Sequence, residues 1–160
     1  MNNSYMKLNP PLRDATRQKK LLDQFSIGII DFLVTDHAPH TIEEKEKDIW
    51  ESPSGLPGLD EFGKIVSWLI IDREIDPNII LKSTSFNPAK FLNLESRGKI
   101  EIGFRGDLTI IDLKHPGKVK SERIYTKCGW SPYENFEFPG SVRNTIVEGK
   151  IMSEYDEVFI

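Results

Sequence analysis

The spacing of apolar residues changes several times along the chain. Asn9-Pro10-Pro11 cannot be helix interior, because proline removes an N–H donor and restricts the residue before it, so residues 1–13 are expected to be an extended loop. Asp14 then reads as the N-cap of a helix over 15–25. Leu21, Leu22 and Phe25 fall on one stripe of that helix and Gly28 ends it. Phe32-Leu33-Val34-Thr35 is a short run of bulky and β-branched residues and predicts a buried strand. It stops at Asp36-His37-Ala38-Pro39-His40, polar groups placed where the C-terminal end of a buried strand carries the site in α/β proteins.

A long loop over 41–58 follows. Its charged run, Glu43-Glu44-Lys45-Glu46-Lys47-Asp48, reads as a solvated helical turn, and 52–58 is dense in proline, serine and glycine. Residues 59–74 predict a helix with Phe62, Ile65, Val66, Leu69 and Ile70 on its apolar face. Asp76-Pro77 opens a short helix, and Asn87-Pro88 starts another through about Leu94. After Arg97-Gly98 the period becomes two. Lys99-Ile100-Glu101-Ile102, a turn over 103–106 and a strand over 107–112 are expected. Residues 141–152 predict a strand pair joined by a tight Glu148-Gly149 hairpin.

Composition narrows the class. With 160 residues the chain suffices for one domain with a core, or one domain plus an appendage. It carries 21 Lys+Arg against 25 Asp+Glu, a net charge of -4, which argues against a general nucleic-acid binder. No apolar run reaches the roughly 20 residues of a membrane span, so no membrane partner is expected. Residues 1–7 lack the apolar core of a signal peptide. The single cysteine, Cys128, has no partner for an internal disulfide and reads as inert; a cytoplasmic, reducing compartment fits.

Candidate chemistry gathers at 36–40. The Asp36 carboxylate could bind a divalent metal and exchange a proton with metal-bound water, or serve as a turn or cap aspartate. Ala38-Pro39 between His37 and His40 rules out the two-histidine clamp of a metal-binding helix. His37 reads as structural, bonding a loop carbonyl; His40 reads as a donor to a carboxylate or as simply exposed. Asn9 can read an amide ring through its donor and acceptor, or can be a turn residue. Ser54 and Gly55 could offer backbone groups to a ring, or form an ordinary surface turn. His115 reads as exposed, and Trp130, Tyr133, Phe136 and Phe138 as packing.

Together these motifs resemble class I dihydroorotases of the amidohydrolase superfamily. Residues 7–13 resemble the segment after the seventh barrel strand, Thr35-Asp36-His37-Ala38-Pro39-His40-Thr41 the eighth-strand signature, and Ser54-Gly55-Leu56-Pro57-Gly58 the loop that follows. Asn87-Pro88-Ala89-Lys90, Gly106-Asp107-Leu108-Thr109-Ile110, Trp130-Ser131-Pro132-Tyr133 and residues 140–151 match the later part, in order. The resemblance implies an α/β chain. Residues 1–96 would be the last βα units of an incomplete (β/α)₈ barrel, and 97–160 a small β-sandwich-type domain. It implies a zinc-dependent, reversible cyclisation of N-carbamoyl-L-aspartate to dihydroorotate in pyrimidine biosynthesis. Asp36 would be metal ligand and general base or acid. Asn9 and His40 would bind substrate, His40 at its carboxylate, with Ser54 and Gly55 holding the ring and Arg13 shaping the loop.

That family's metal centre also uses a His-x-His pair, a modified lysine and further histidines, which find no counterpart in this sequence. The chain alone is therefore expected to be inactive, to bind zinc poorly, to expose apolar surface and to associate. Besides the small-molecule substrate, the expected partners are a missing barrel half, a homo-oligomer or aspartate transcarbamoylase. The alternatives are a non-catalytic interaction module derived from a dihydroorotase, or a piece of another cyclic amidohydrolase acting on hydantoins or allantoin.

Overall fold

The first helix forms where a cap and a stripe coincide. The Asp14 side chain accepts the Arg17 N–H, and α1 spans Ala15–Ser26. Phe25 is buried and Leu22 packs beside it, whereas Leu21 is exposed, so the buried stripe is narrower than the spacing suggests. This computed structural model describes residues 3–155 and 157–159. Expectations touching Met1 and Ile160 lie outside the described residues.

Residues 32–35 form no strand among the described residues, contrary to the expected buried strand. Val34 is 70% exposed, and among the described residues the nearest ladder contact is a single parallel bridge from His37 to Leu56. A strand exists only through a neighbour's hydrogen bonds. Here the Leu33 N–H goes instead to the Ser83 carbonyl at 3.1 Å, and the Asn87 amide donates to the Asp31 carbonyl at 2.9 Å.

A one-turn helix, α2 (Ile42–Lys45), opens the long loop. Helix α3 spans Phe62–Ile71, shorter at both ends than the expected 59–74. Its Val66 and Leu69 are buried with Phe25, Ile75 and Ile80, and this cluster forms the core together with Leu33 and Ile111. Asp76 caps α4 (Pro77–Leu81), accepting from the Asn78 N–H at 2.8 Å. Asn87 does not start an independent helix. A π-turn over Lys82–Phe86 joins α4 to α5 (Asn87–Phe91) without a break, and no side chain caps α5.

The second half is a four-stranded antiparallel sheet with order β1-β4-β5-β6, from β1 (Leu108–Asp112), β4 (Ser141–Val147), β5 (Lys150–Glu154) and β6 (Glu157–Val158). A separate pair joins β2 (Gly117–Lys118) to β3 (Glu137–Phe138). Glu148 and Gly149, with φ 51° and 77°, make the expected hairpin between β4 and β5. The period-two stretch 99–102 forms no strand, and Ile100 and Ile102 are exposed.

Helix α3 sits tightly on this sheet. A Cβ at Gly63 would lie 2.2 Å from Val142 Cγ2, so a side chain there would displace the Val142 methyl that packs against the helix. Ser67 Oγ donates its proton to the Lys64 carbonyl at 2.6 Å, with the Gly140 carbonyl 3.1 Å away, and accepts the Gly140 N–H at 3.0 Å, closing the joint. Trp130 and Phe138 are buried, and Tyr133 and Phe136 meet Phe138 edge-on, so this aromatic group packs as expected; Phe136 remains exposed at 48%.

Candidate active site

Four stretches of chain are laced together around the motif 36–40. The Gly55 N–H donates to the Lys7 carbonyl at 3.0 Å, and the Ala38 N–H to the Leu56 carbonyl at 2.9 Å. Gly55, at φ 144°, is pressed onto the motif. A Cβ there would stand 2.5 Å from the Ala38 carbonyl and 3.1 Å from His40 Nε2. A side chain at this position would push the His40 ring aside.

His40 therefore has a defined place. Its Nε2 is 3.2 Å from the Ser54 carbonyl, its Nδ1 3.6 Å from Glu44 Oε2, and its own carbonyl accepts the Trp130 indole N–H at 2.8 Å. Glu44 is in turn fixed by a capping box. Its Oε2 accepts the Thr41 N–H at 2.9 Å, and Thr41 Oγ1 accepts the Glu44 N–H at 3.3 Å. The expected partners His40, Ser54 and Gly55 are thus brought together.

His37 is structural, with the polarity of its bonds opposite to expectation. Nδ1 accepts the Gly58 and Leu59 N–H groups, both at 3.2 Å, rather than donating to a loop carbonyl. The ring must carry its proton on Nε2. It pins the turn at the end of the long loop.

Asp36 is exposed and sits at φ 47°, a strained conformation for a non-glycine residue. Its carboxylate makes no hydrogen bond or ion pair among the described residues. Asn9 is exposed and its side chain is likewise without a protein partner there; it lies two residues beyond Lys7, whose carbonyl meets Gly55. Arg13 is exposed and turns back to the Pro11 carbonyl at 2.9 Å. His115 is exposed against the Tyr155 ring, and Cys128 Sγ contacts the Trp130 carbonyl.

The residue that organises the loop is one the charge pattern assigned to solvent. Lys45 is 0% exposed. Its Nζ donates to the Pro53 carbonyl at 2.9 Å and the Gly55 carbonyl at 3.2 Å, bracketing Ser54, and its own carbonyl accepts Ser4 Oγ at 2.6 Å. Burial, and then the charge of Lys7, push the Lys45 amine below the usual lysine range. Lys7 plays a related part, donating to the Ile49 and Trp50 carbonyls at 2.6 and 3.3 Å. Nothing in the local spacing separates Lys45 from the solvated charges beside it.

Chemically, the cluster offers a free carboxylate, a ring nitrogen pair held between a carbonyl and a carboxylate, and rigid backbone groups at 54–56. No group of three or more His, Cys, Asp or Glu side chains that could hold a metal ion occurs among the described residues. None of their helices is long and apolar enough to cross a membrane.

The sequence model of the Amidohydrolase family matches residues 13–152. Dihydroorotase of Methanosphaera stadtmanae is 41% identical over 155 residues, covering 96% of this chain and 35% of that protein. Dihydroorotase of Methanothermobacter thermautotrophicus is 36% identical over 153 residues, with the same coverage. The chain thus spans about a third of the length of the curated relatives it matches. Among solved structures, an L-hydantoinase (dihydropyrimidinase) from Arthrobacter aurescens superimposes with a TM-score of 0.92 at 28% identity, over 98% of this chain and 36% of that one. A D-hydantoinase (dihydropyrimidinase) from Thermus sp. shares the fold, with a TM-score of 0.89 at 24% identity, over 98% of this chain and 35% of that one.

Proposed function

The chain belongs to the amidohydrolase family, and from that premise we propose that it is the C-terminal portion of a dihydroorotase-type cyclic amidohydrolase. Residues 1–96 would then close a (β/α)₈ barrel and 97–160 would form the small β-rich domain. The reaction would be the reversible ring closure of N-carbamoyl-L-aspartate to dihydroorotate, in the cytoplasm. The observation that carries this reading is the joint between His40 and the Ser54-Gly55 backbone, which holds a donor for an acidic substrate beside groups able to grip an amide ring.

Zinc is the metal such an enzyme would use, and the described residues do not fit it by themselves. A catalytic zinc takes three protein ligands, whereas Asp36 is the single free carboxylate of the motif and no set of three converges. Asp36 would move the proton, taking it from the attacking water and returning it to the departing ring nitrogen. His40 would face the substrate carboxylate with one N–H. In this structure Glu44 stands 3.6 Å from that ring, so an anionic substrate must compete with Glu44 for His40. Asn9, two residues from the Lys7–Gly55 bond, would read the ring amide, with Ser54 and Gly55 on the ring's other polar edge.

The hydantoinase likeness supports the alternative of another cyclic amidohydrolase at the level of the family. Turnover decides between them. The protein, captured from its source cells through its C-terminal segment in whatever form it has there, should hydrolyse dihydroorotate in preference to hydantoin and allantoin. Its intact mass would show whether a longer chain or a partner supplies the rest of the site. A preference for hydantoin or allantoin would sink the substrate assignment; no turnover at all would favour an interaction module.

A further inference from the structure

Trp130 packs among the other aromatic residues, yet its polar edge is committed elsewhere. It is 4% exposed, and its indole N–H donates to the His40 carbonyl at 2.8 Å, across 90 positions of chain. The segment leading to it is fastened just ahead of α3. There the Tyr125 N–H donates to Asp60 Oδ1 at 2.6 Å and the Thr126 hydroxyl donates to Asp60 Oδ2. The Tyr5 ring meets the indole edge-on, with centroids 5.0 Å apart at 88°. Tyr5 belongs to the helical turn Asn3–Met6, which the buried Ser4 ties to the Lys45 carbonyl at 2.6 Å.

The peptide that Trp130 grips lies between two fixed stretches. Before it, Pro39 restricts its own φ, and the Ala38 N–H is bonded to the Leu56 carbonyl. After it, Thr41 is locked into the capping box with Glu44. The His40–Thr41 peptide joins the two, and the indole N–H holds its carbonyl. Tipping that peptide would swing the His40 Cβ, and with it the imidazole whose Nε2 stands 3.2 Å from the Ser54 carbonyl. One neutral hydrogen bond from a remote aromatic residue thus sets the direction of the ring.

On the reading above, in which His40 donates to the substrate carboxylate and on which this step rests, we propose that Trp130 is a positioning residue for His40. Its indole N–H holds the peptide that aims the imidazole at an anionic substrate. The second half of the chain carries none of the residues assigned to the reaction. Through Trp130 it takes a part in selecting rings that bear a carboxylate over rings that lack one.

Trp130→Phe keeps an aromatic ring in the packing and removes the N–H. In the enzyme in the form it has in its source cells, KM for dihydroorotate should rise about fivefold, the scale of one neutral hydrogen bond, with kcat little changed. The inhibition constant of dihydrouracil, the same ring without the carboxylate, should stay unchanged. In the 160-residue chain the His40 ring resonances should shift in a proton–nitrogen spectrum, which needs no turnover. Equal loss with both ring compounds, a fall in kcat at constant KM, or unmoved His40 resonances would each overturn the proposal. Failure of the unaltered enzyme to turn over dihydroorotate would instead refute the substrate reading, and the His40 resonances would then decide the role of Trp130 alone. Should Trp130→Phe lose the circular dichroism of the fold, Tyr5→Leu carries the same comparisons, because it removes the ring braced on the indole from a half-buried position. The absence of a selective loss there would count equally against Trp130.

Discussion

Replacing Lys45 by methionine tests whether this buried cation holds the loop at 53–58. Methionine fills similar space and removes the ammonium. Two hydrogen bonds from a charged donor are lost, each worth about 1.5–3 kcal/mol, and the Pro53 and Gly55 carbonyls lose the donor that brackets Ser54. Relief from burying a charge offsets part of this. A net loss of about 3 kcal/mol is expected, which for a chain of this size lowers Tm by about 6–12 °C. Urea unfolding gives the free energy, and amide exchange at Gly55 and Leu56 reports whether the loop opens first. The pH dependence supplies an internal check. The folded-state pKa of Lys45 is depressed, so between that value and the unfolded one the unfolded chain binds more protons. The advantage of the unaltered chain over Lys45→Met should therefore grow as pH rises through the alkaline range and be smallest below the depressed pKa. Equal stability of the two proteins, or unchanged exchange at Gly55, would refute the reasoning.

Three further outcomes are expected. Asp36→Asn should abolish turnover of the complete enzyme while shifting stability by no more than about 0.5 kcal/mol, because its carboxylate makes no bond among the described residues; calorimetry beside a turnover assay checks both halves. Glu44→Gln keeps an oxygen for the Thr41 N–H but removes the anion beside His40, so KM for an anionic substrate should fall several-fold with kcat little changed; a rise in KM would contradict the competition described above. Gly55→Ala forces a Cβ to within 2.5 Å of the Ala38 carbonyl, and should destabilise the chain by about 2 kcal/mol or more and shift the His40 ring resonances in a proton–nitrogen spectrum.

Much of this molecule was legible where short-range rules govern. Asp14 and Asp76 cap the helices they precede, the Glu148-Gly149 hairpin closes as its turn residues require, and α3 buries Val66 and Leu69 from the expected stripe. The motif's meeting of His40 with Ser54 and Gly55 was also legible, through the resemblance rather than through spacing. What failed depended on distant chain. Residues 32–35 have the composition of a strand, but pairing needs a neighbour and the Leu33 N–H turns to Ser83 instead. Asn87-Pro88 has a helix-start signature, yet a π-turn carries the preceding helix straight through it.

The local elements, the acidic balance and the family can be read from the amino-acid order alone, because capping, turn chemistry and ordered motifs are written within a few residues. Which polar groups are buried, and what they hold, follows from the packing of distant segments. Lys45 sits in a run of charges indistinguishable from its neighbours until carbonyls at 53 and 55 fold over it. His37 accepts rather than donates because the Gly58 and Leu59 N–H groups arrive from across the loop. Glu61 became conspicuous only once burial left both its oxygens without a donor among the described residues. Burial and hydrogen-bond polarity are properties of what surrounds a side chain, and no local pattern encodes them.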